Sequence, residues 1–168
     1  MYQILTYVED NFTKSAICST ELKNGEVVLV KGLADSTLAK IGDIGVDGEC
    51  YEVGALEDDA NKILAMVASD GHRYENETAY NFGDYANTPA GEPVRVYFLH
   101  KGMVVSIEKS LIADEVAKGD QLTVKADSHN LKKYTAPAGS EAGAKRIVGE
   151  VIGTPKLMGK DMVQILFY

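Results

Sequence analysis

The chain has 168 residues, 45% hydrophobic and 25% charged, which is ordinary for a globular protein and long enough to bury a core without disulfide or metal staples. Its formal net charge of −8 excludes the exposed Lys/Arg surplus that holds a protein on nucleic acid or on an anionic membrane surface. That charge is uneven: residues 1–88 hold 6 Lys/Arg against 16 Asp/Glu, and residues 89–168 hold 11 against 9. The division suggests an acidic N-terminal β-rich region, 1–88, and a C-terminal β-domain, 89–168, or else one continuous domain. No apolar run approaches the roughly 20 residues of a membrane span. Met1–Asp10 lacks the basic segment and cleavage site of a signal peptide, so cytoplasmic synthesis and assembly are expected. Cys18 and Cys50 read as buried free thiols in a reducing compartment.

In chain order, the first element is an apolar arm, Tyr2, Ile4, Leu5, Tyr7 and Val8. It reads as an edge strand of its own sheet or as a strand added to a partner. Val27–Val30 is a β-branched run. Glu57–Val67 reads either as a helix begun by acids or as a loop followed by a strand over Lys62–Ala68, and the second is preferred. Asp70–Gly91 has no period but carries Tyr74, Tyr80, Phe82 and Tyr85. A long irregular segment bearing aromatics is more often functional than accidental. Five runs with period-2 character follow: Val94–Leu99, Met103–Ile107, Gln121–Val124, Arg146–Ile152 and Met162–Phe167. Between them, His100-Lys101-Gly102 and Asp127-Ser128-His129-Asn130 read as hairpin turns. Ser110–Ala117 reads as a two-turn helix with Ser110 as N-cap, and Thr135–Ala144 as a surface loop. The fold class is mainly β, a sandwich or small barrel with at most one short helix.

One local pattern recurs. Asn24-Gly25-Glu26-Val27, Ala90-Gly91-Glu92-Pro93-Val94 and Lys118-Gly119-Asp120-Gln121-Leu122 share the order Gly, acid, apolar strand, and Gly159-Lys160-Asp161-Met162 is a looser copy. Glycine permits positive φ, and the acid's side chain accepts from the turn backbone, so each copy predicts a tight turn that launches a strand.

Catalytic chemistry finds no support in the residue pattern. His72, His100 and His129 stand far apart and no Cys-x-x-Cys spacing exists, so no metal site is expected. The acidic run Ile41–Glu49 fits a calcium loop at Asp43, Asp47 and Gly48 but places Gly45 and Gly54 where ligands belong. There is no nucleophile elbow and no phosphate-cradling glycine loop. The expectation is a protein that is not an enzyme, with no catalytic residue and no cofactor.

The second half has the order Ala90-Gly91-Glu92-Pro93-Val94, Lys101-Gly102-Met103-Val104, Ala117-Lys118-Gly119-Asp120-Gln121-Leu122, Ile147–Gly153 and Asp161–Phe167. This layout resembles the capsid cement, or head decoration, proteins of tailed bacteriophages over about residues 89–168. The resemblance implies a β-rich accessory protein on the exterior of the virion whose partner is the major capsid protein, with self-association, a trimer by preference, and neither nucleic acid nor membrane as partner. Tyr2, Ile4, Tyr7, Tyr74, Tyr80, Phe82 and Tyr85 are the candidate partner-binding residues. The alternatives are a small ligand-binding barrel or enzyme using the aromatic segment 70–91, and a phage tail or baseplate component.

Overall fold

The strand-forming runs become fourteen short strands in the structure, a computed structural model that describes residues 2–4 (backbone), 13–34, 50–57, 62–68, 87–136, 146–157 and 159–168. They are β1 (Tyr2–Ile4), β2 (Thr13–Cys18), β3 (Leu22–Lys23), β4 (Val27–Leu33), β5 (Cys50–Gly54), β6 (Leu64–Val67) and β7 (Asn87–Thr88). After these come β8 (Pro93–Phe98), β9 (Val104–Glu108), β10 (Gln121–Val124), β11 (Leu131–Lys133), β12 (Ile147–Gly153), β13 (Lys156–Leu157) and β14 (Lys160–Phe167). The mainly β expectation holds.

Two bodies are built from them. Strands β2, β5, β4, β6 and β8 close into a barrel, with β2 and β5 parallel and every other pair antiparallel. Seven others form a curled sheet in the order β1, β9, β14, β12, β10, β11, with β13 folded back on β14, and β3 and β7 pair as a separate two-stranded ribbon. The chain passes from barrel to sheet at the His100-Lys101-Gly102 turn, where Met103 N–H donates to His100 O at 3.1 Å. Strand β8 therefore belongs to the barrel, and β1 crosses from the chain's beginning to pair with β9, Gln3 opposite Ser106.

Burial explains why some runs alternate and others are solidly apolar. Val27 and Leu29 of β4 and Leu64 and Met66 of β6 turn outward from the barrel, into a core shared with Val105, Ile107, Leu122, Val151 and Ile165 of the sheet. The intervening Val28, Ala65 and Val67 join Ala16, Cys18, Val53, Val94 and Val96, a cluster fed by all five barrel strands and therefore the barrel's interior. A strand buried on both faces reads as a continuous apolar run, and all four residues of β6 are buried. Each large aliphatic side chain moved fully into this core contributes about 1.5–3 kcal/mol. Side chains from barrel and sheet thus pack into one shared core.

The Gly-acid pattern is realised at every copy. Gly25, Gly91, Gly119 and Gly159 have φ of 89°, 78°, 92° and 80°. Glu26 N–H donates to Lys23 O at 3.1 Å, Glu92 N–H to Pro89 O at 3.2 Å and Asp120 N–H to Ala117 O at 3.1 Å, each closing a four-residue turn. In two copies the acid caps the turn as expected: Lys23 N–H donates to Glu26 Oε2 and Ala117 N–H to Asp120 Oδ2, both at 2.8 Å.

The Ser110–Ala117 helix is corrected. Only a 3-10 turn, Lys109–Leu111, forms there. From Ile112 the chain runs alongside β11: Ala113 N–H donates to Leu131 O at 2.9 Å, and Asp114 Oδ2 accepts from Lys133 N–H at 3.0 Å. Bonds to a sheet edge replace the i to i−4 ladder, and Ile112 is buried in the shared core. The Asp70–Gly91 segment ends in structure the sequence did not suggest, since Asn87–Thr88 pairs with Leu22–Lys23. The Lys62–Ala68 strand is present as β6.

Candidate partner surface

The pairing directions give the barrel two poles. One gathers the start of β2, the end of β4, the starts of β5 and β6 and the end of β8. The other gathers the opposite strand ends: Cys18, Val27, Gly54, Val67 and Pro93.

The second pole is occupied by the protein itself. The hairpin joining β10 to β11 reaches over from the sheet: Asp127 N–H donates to Leu56 O at 2.9 Å, Leu56 N–H to Ser128 O at 2.8 Å and Val27 N–H to His129 O at 3.1 Å. Three backbone bonds in so short a tip require a tight local conformation. Asp127 supplies it with φ 57°, the one positive φ of a non-glycine residue among the described residues. Ser128 Oγ holds the tip by donating to Lys125 O at 2.9 Å and accepting from Asn130 N–H at 3.2 Å. The β3–β7 ribbon lies at this pole too, where Leu22 packs into the barrel cluster and Gly91 N–H donates to Cys18 O at 2.8 Å.

The first pole is different. Val30, Tyr51 and Phe98 are half-buried and pack on the barrel's interior, the two rings meeting edge to face with centroids 5.2 Å apart. Beyond them stand Leu33, 65% exposed, and Ile63, 52% exposed. These are two of the three large hydrophobic side chains exposed among the described residues, and strand direction puts both at the same pole. Each is flanked by a closed ion pair: Lys31 Nζ to Glu52 Oε1 at 3.1 Å beside Leu33, and Lys62 Nζ to Glu57 Oε2 at 2.6 Å beside Ile63. The sequence reading stopped its strand at Val30 and so missed Leu33. A bulge at Lys31, between Val30 and Gly32 where the β4–β5 register shifts, carries the strand on to Leu33, and Lys31-Gly32 gave no apolar signal there.

Of the residues singled out from sequence, Tyr2 and Ile4 lie in β1, an end strand of the curled sheet. Tyr7, Tyr74, Tyr80, Phe82 and Tyr85 lie outside the described residues, as do His72 and the Ile41–Glu49 run. No family model, curated protein or solved structure matches the chain. The chain's own geometry therefore carries the functional reading. Among the described residues, no group of three His, Cys, Asp or Glu side chains could hold a metal ion, and no helix is long and apolar enough to cross a membrane.

A recess of about 510 Å³ opens on the sheet between the 3-10 turn and the start of β14. Ion pairs line it, Lys160 to Glu108 at 3.3 Å, Lys109 to Glu115 at 2.5 Å and, on its edge, Asp161 to Lys156 at 3.4 Å, and Asp114 Oδ2 accepts from Lys133 N–H. Such partly exposed pairs contribute little each to stability. The two cysteines are free and buried, and burial pushes the Cys50 thiol above its ordinary value, which disfavours the thiolate that reacts.

Proposed function

We propose that this chain is a structural accessory protein that binds the outer surface of a tailed-phage capsid and stabilises it. The observation that carries the reading is a barrel filled by its own small side chains, with its exposed large apolar residues on an outer pole. A ligand-binding barrel needs an enclosed apolar cavity with a few convergent polar groups. Here Ala16, Cys18, Val28, Ala65 and Val96 occupy the interior, and Leu33 and Ile63 face outward. An outward apolar patch suits docking on another macromolecule. The residues that carry the resemblance to cement proteins are also those that set the turns: Gly91, Gly102 and Gly119 each stand at positive φ just ahead of a strand.

The mechanism is mass action on the assembled shell. A protein that binds the native lattice and not its loosened form stabilises each site by about RT ln(1 + [L]/Kd), and many sites multiply that gain. The protein resides on the virion exterior and associates as a trimer, the closed symmetry matching a three-fold lattice position. The test is co-sedimentation with empty heads assembled from a tailed-phage major capsid protein of the same genome, together with thermal disruption of those heads. Pelleting with the heads and a raised disruption temperature are expected; neither at micromolar protein refutes the assignment. Sedimentation velocity reports the trimer, free or on the shell.

A further inference from the structure

We propose that residues 112–120 are a built-in guard that closes the β11 edge of the curled sheet against strand addition by a second copy of this chain. The inference stands apart from the capsid reading, because it concerns the sheet's own edge. Strand β11 ends the sheet, and an end strand presents backbone N–H and C=O groups that pair readily with another strand. Residues 112–114 meet those groups. Ala113 N–H donates to Leu131 O at 2.9 Å, and Ile112 bridges Leu131 in parallel register. Lys133, two residues on and pointing its backbone the same way, donates its N–H to Asp114 Oδ2 at 3.0 Å. A carboxylate thus stands where a neighbouring strand would offer a carbonyl.

That substitution makes the segment a guard and not a further strand. Another strand would extend the ladder and present a fresh edge. A side-chain carboxylate ends the ladder and leaves a charge there, with the exposed Glu115 beside it. Both ends of the segment are fixed. Ile112 is buried in the shared core. At the other end Asp120 Oδ1 meets Lys133 Nζ at 2.8 Å, Asp120 Oδ2 accepts from Ala117 N–H at 2.8 Å, and Gly119 N–H donates to Val151 O at 2.7 Å. Lys133 is therefore held twice, its backbone by Asp114 and its side chain by Asp120. The partner excluded is a second copy: β11 already takes an antiparallel neighbour in β10, and two β11 edges paired antiparallel are self-complementary and close on themselves.

The experiment uses the full chain. Asp114→Ala removes the acceptor from Lys133 N–H. Ala113→Pro removes the donor to Leu131 O, and Ile112, with φ −111° and ψ 126°, already has the extended backbone that a residue before proline needs. Glu115→Ala is the control, since its carboxylate pairs with Lys109 and not with β11. In Asp114→Ala the Lys133 amide should exchange with solvent at least about tenfold faster than in wild type. In sedimentation velocity both edge variants should form larger species than wild type as concentration rises, whatever size wild type has, and Glu115→Ala should match wild type. The guard is overturned if the Lys133 amide exchanges equally fast in wild type and Asp114→Ala, or if both edge variants keep the wild-type size. It is also overturned if Glu115→Ala associates as strongly as Asp114→Ala, which would assign the effect to lost charge. Should one edge variant fail to fold, the other carries the test. Should both fail, a wild-type Lys133 amide exchanging as fast as in the unfolded chain overturns the guard by itself, and a protected one supports it.

Discussion

Replacing Gly149 with alanine should cost more than the same change at Gly54, Gly102 or Gly119. Gly149 lies in β12, flanked by β14 and β10 and paired with Phe167 and Leu122. A methyl there would stand 2.5 Å from Leu166 O, 3.0 Å from Ile165 Cγ2 and 3.2 Å from Leu166 C. The nearest obstacle is backbone of a paired strand, so the ladder itself must part. Overpacking of this kind costs about 1–3 kcal/mol, and a backbone obstacle between paired strands puts Gly149→Ala near 3 kcal/mol. Gly102→Ala and Gly119→Ala meet no atom within 4 Å, but their φ of 85° and 92° forces alanine into left-handed backbone. That strain costs about 1 kcal/mol. At Gly54 the methyl meets Lys31 Cε at 2.7 Å, the far end of a flexible side chain, and moving it sacrifices only the Lys31–Glu52 pair. Such pairs contribute about 0–1 kcal/mol, so Gly54→Ala should be nearly silent. Urea unfolding followed by far-UV circular dichroism measures all four. With a slope of about 2 kcal/mol per molar urea for a chain of this size, the midpoint should fall by about 1.5 M for Gly149→Ala, by about 0.5 M for the two turn glycines and hardly at all for Gly54→Ala. A Gly149→Ala midpoint equal to that of Gly119→Ala would refute the steric reasoning, and so would a Gly54→Ala variant that is the least stable.

Leu29, fully buried between barrel and sheet, should cost about 2–5 kcal/mol when changed to alanine; its unfolding should stay a single transition seen alike by near- and far-UV signals, whereas two separated transitions would show that the shared core does not couple the bodies. The Asp120 carboxyl is held below the usual aspartate range, first by the hydrogen bond from Lys133 Nζ at 2.8 Å and then by Ala117 N–H. Its contribution is therefore full above the unfolded aspartate value and lost as pH falls through the lower folded value, below about pH 4. Asp120→Asn should flatten the acid limb of a stability-against-pH curve, and an unchanged limb would count against it. Cys18 and Cys50 should resist a thiol reagent at pH 8 in the native protein and both react once it is unfolded; fast native labelling of either contradicts its burial. Chelator and reductant should each leave the melting temperature unmoved, and a large drop with either would reveal a staple that the sequence spacing does not predict.

The sequence by itself determined the turns and, through them, most strand starts. A tight turn depends on four consecutive residues, so Gly25-Glu26, Gly91-Glu92 and Gly119-Asp120 announce their geometry wherever the chain goes. The runs at Val94, Gln121 and Met162 were legible for the same local reason, because alternation and β-branching reflect a half-buried strand. Only the tertiary structure decided which strands meet. Nothing near Tyr2–Ile4 foretells a partner at Val105–Ile107, and nothing in Ser15–Cys18 foretells a parallel neighbour at Cys50–Val53. Such pairings are set by burial summed over the whole core against the entropy of closing long loops. The same competition overrode the helix signal at Ser110–Ala117, where local propensity of a few tenths of a kcal/mol per residue yielded to the buried Ile112 and the edge of β11. The candidate surface was the least legible part: exposure belongs to the folded shape, and Leu33 and Ile63 acquire a common pole only when five strands close into a barrel.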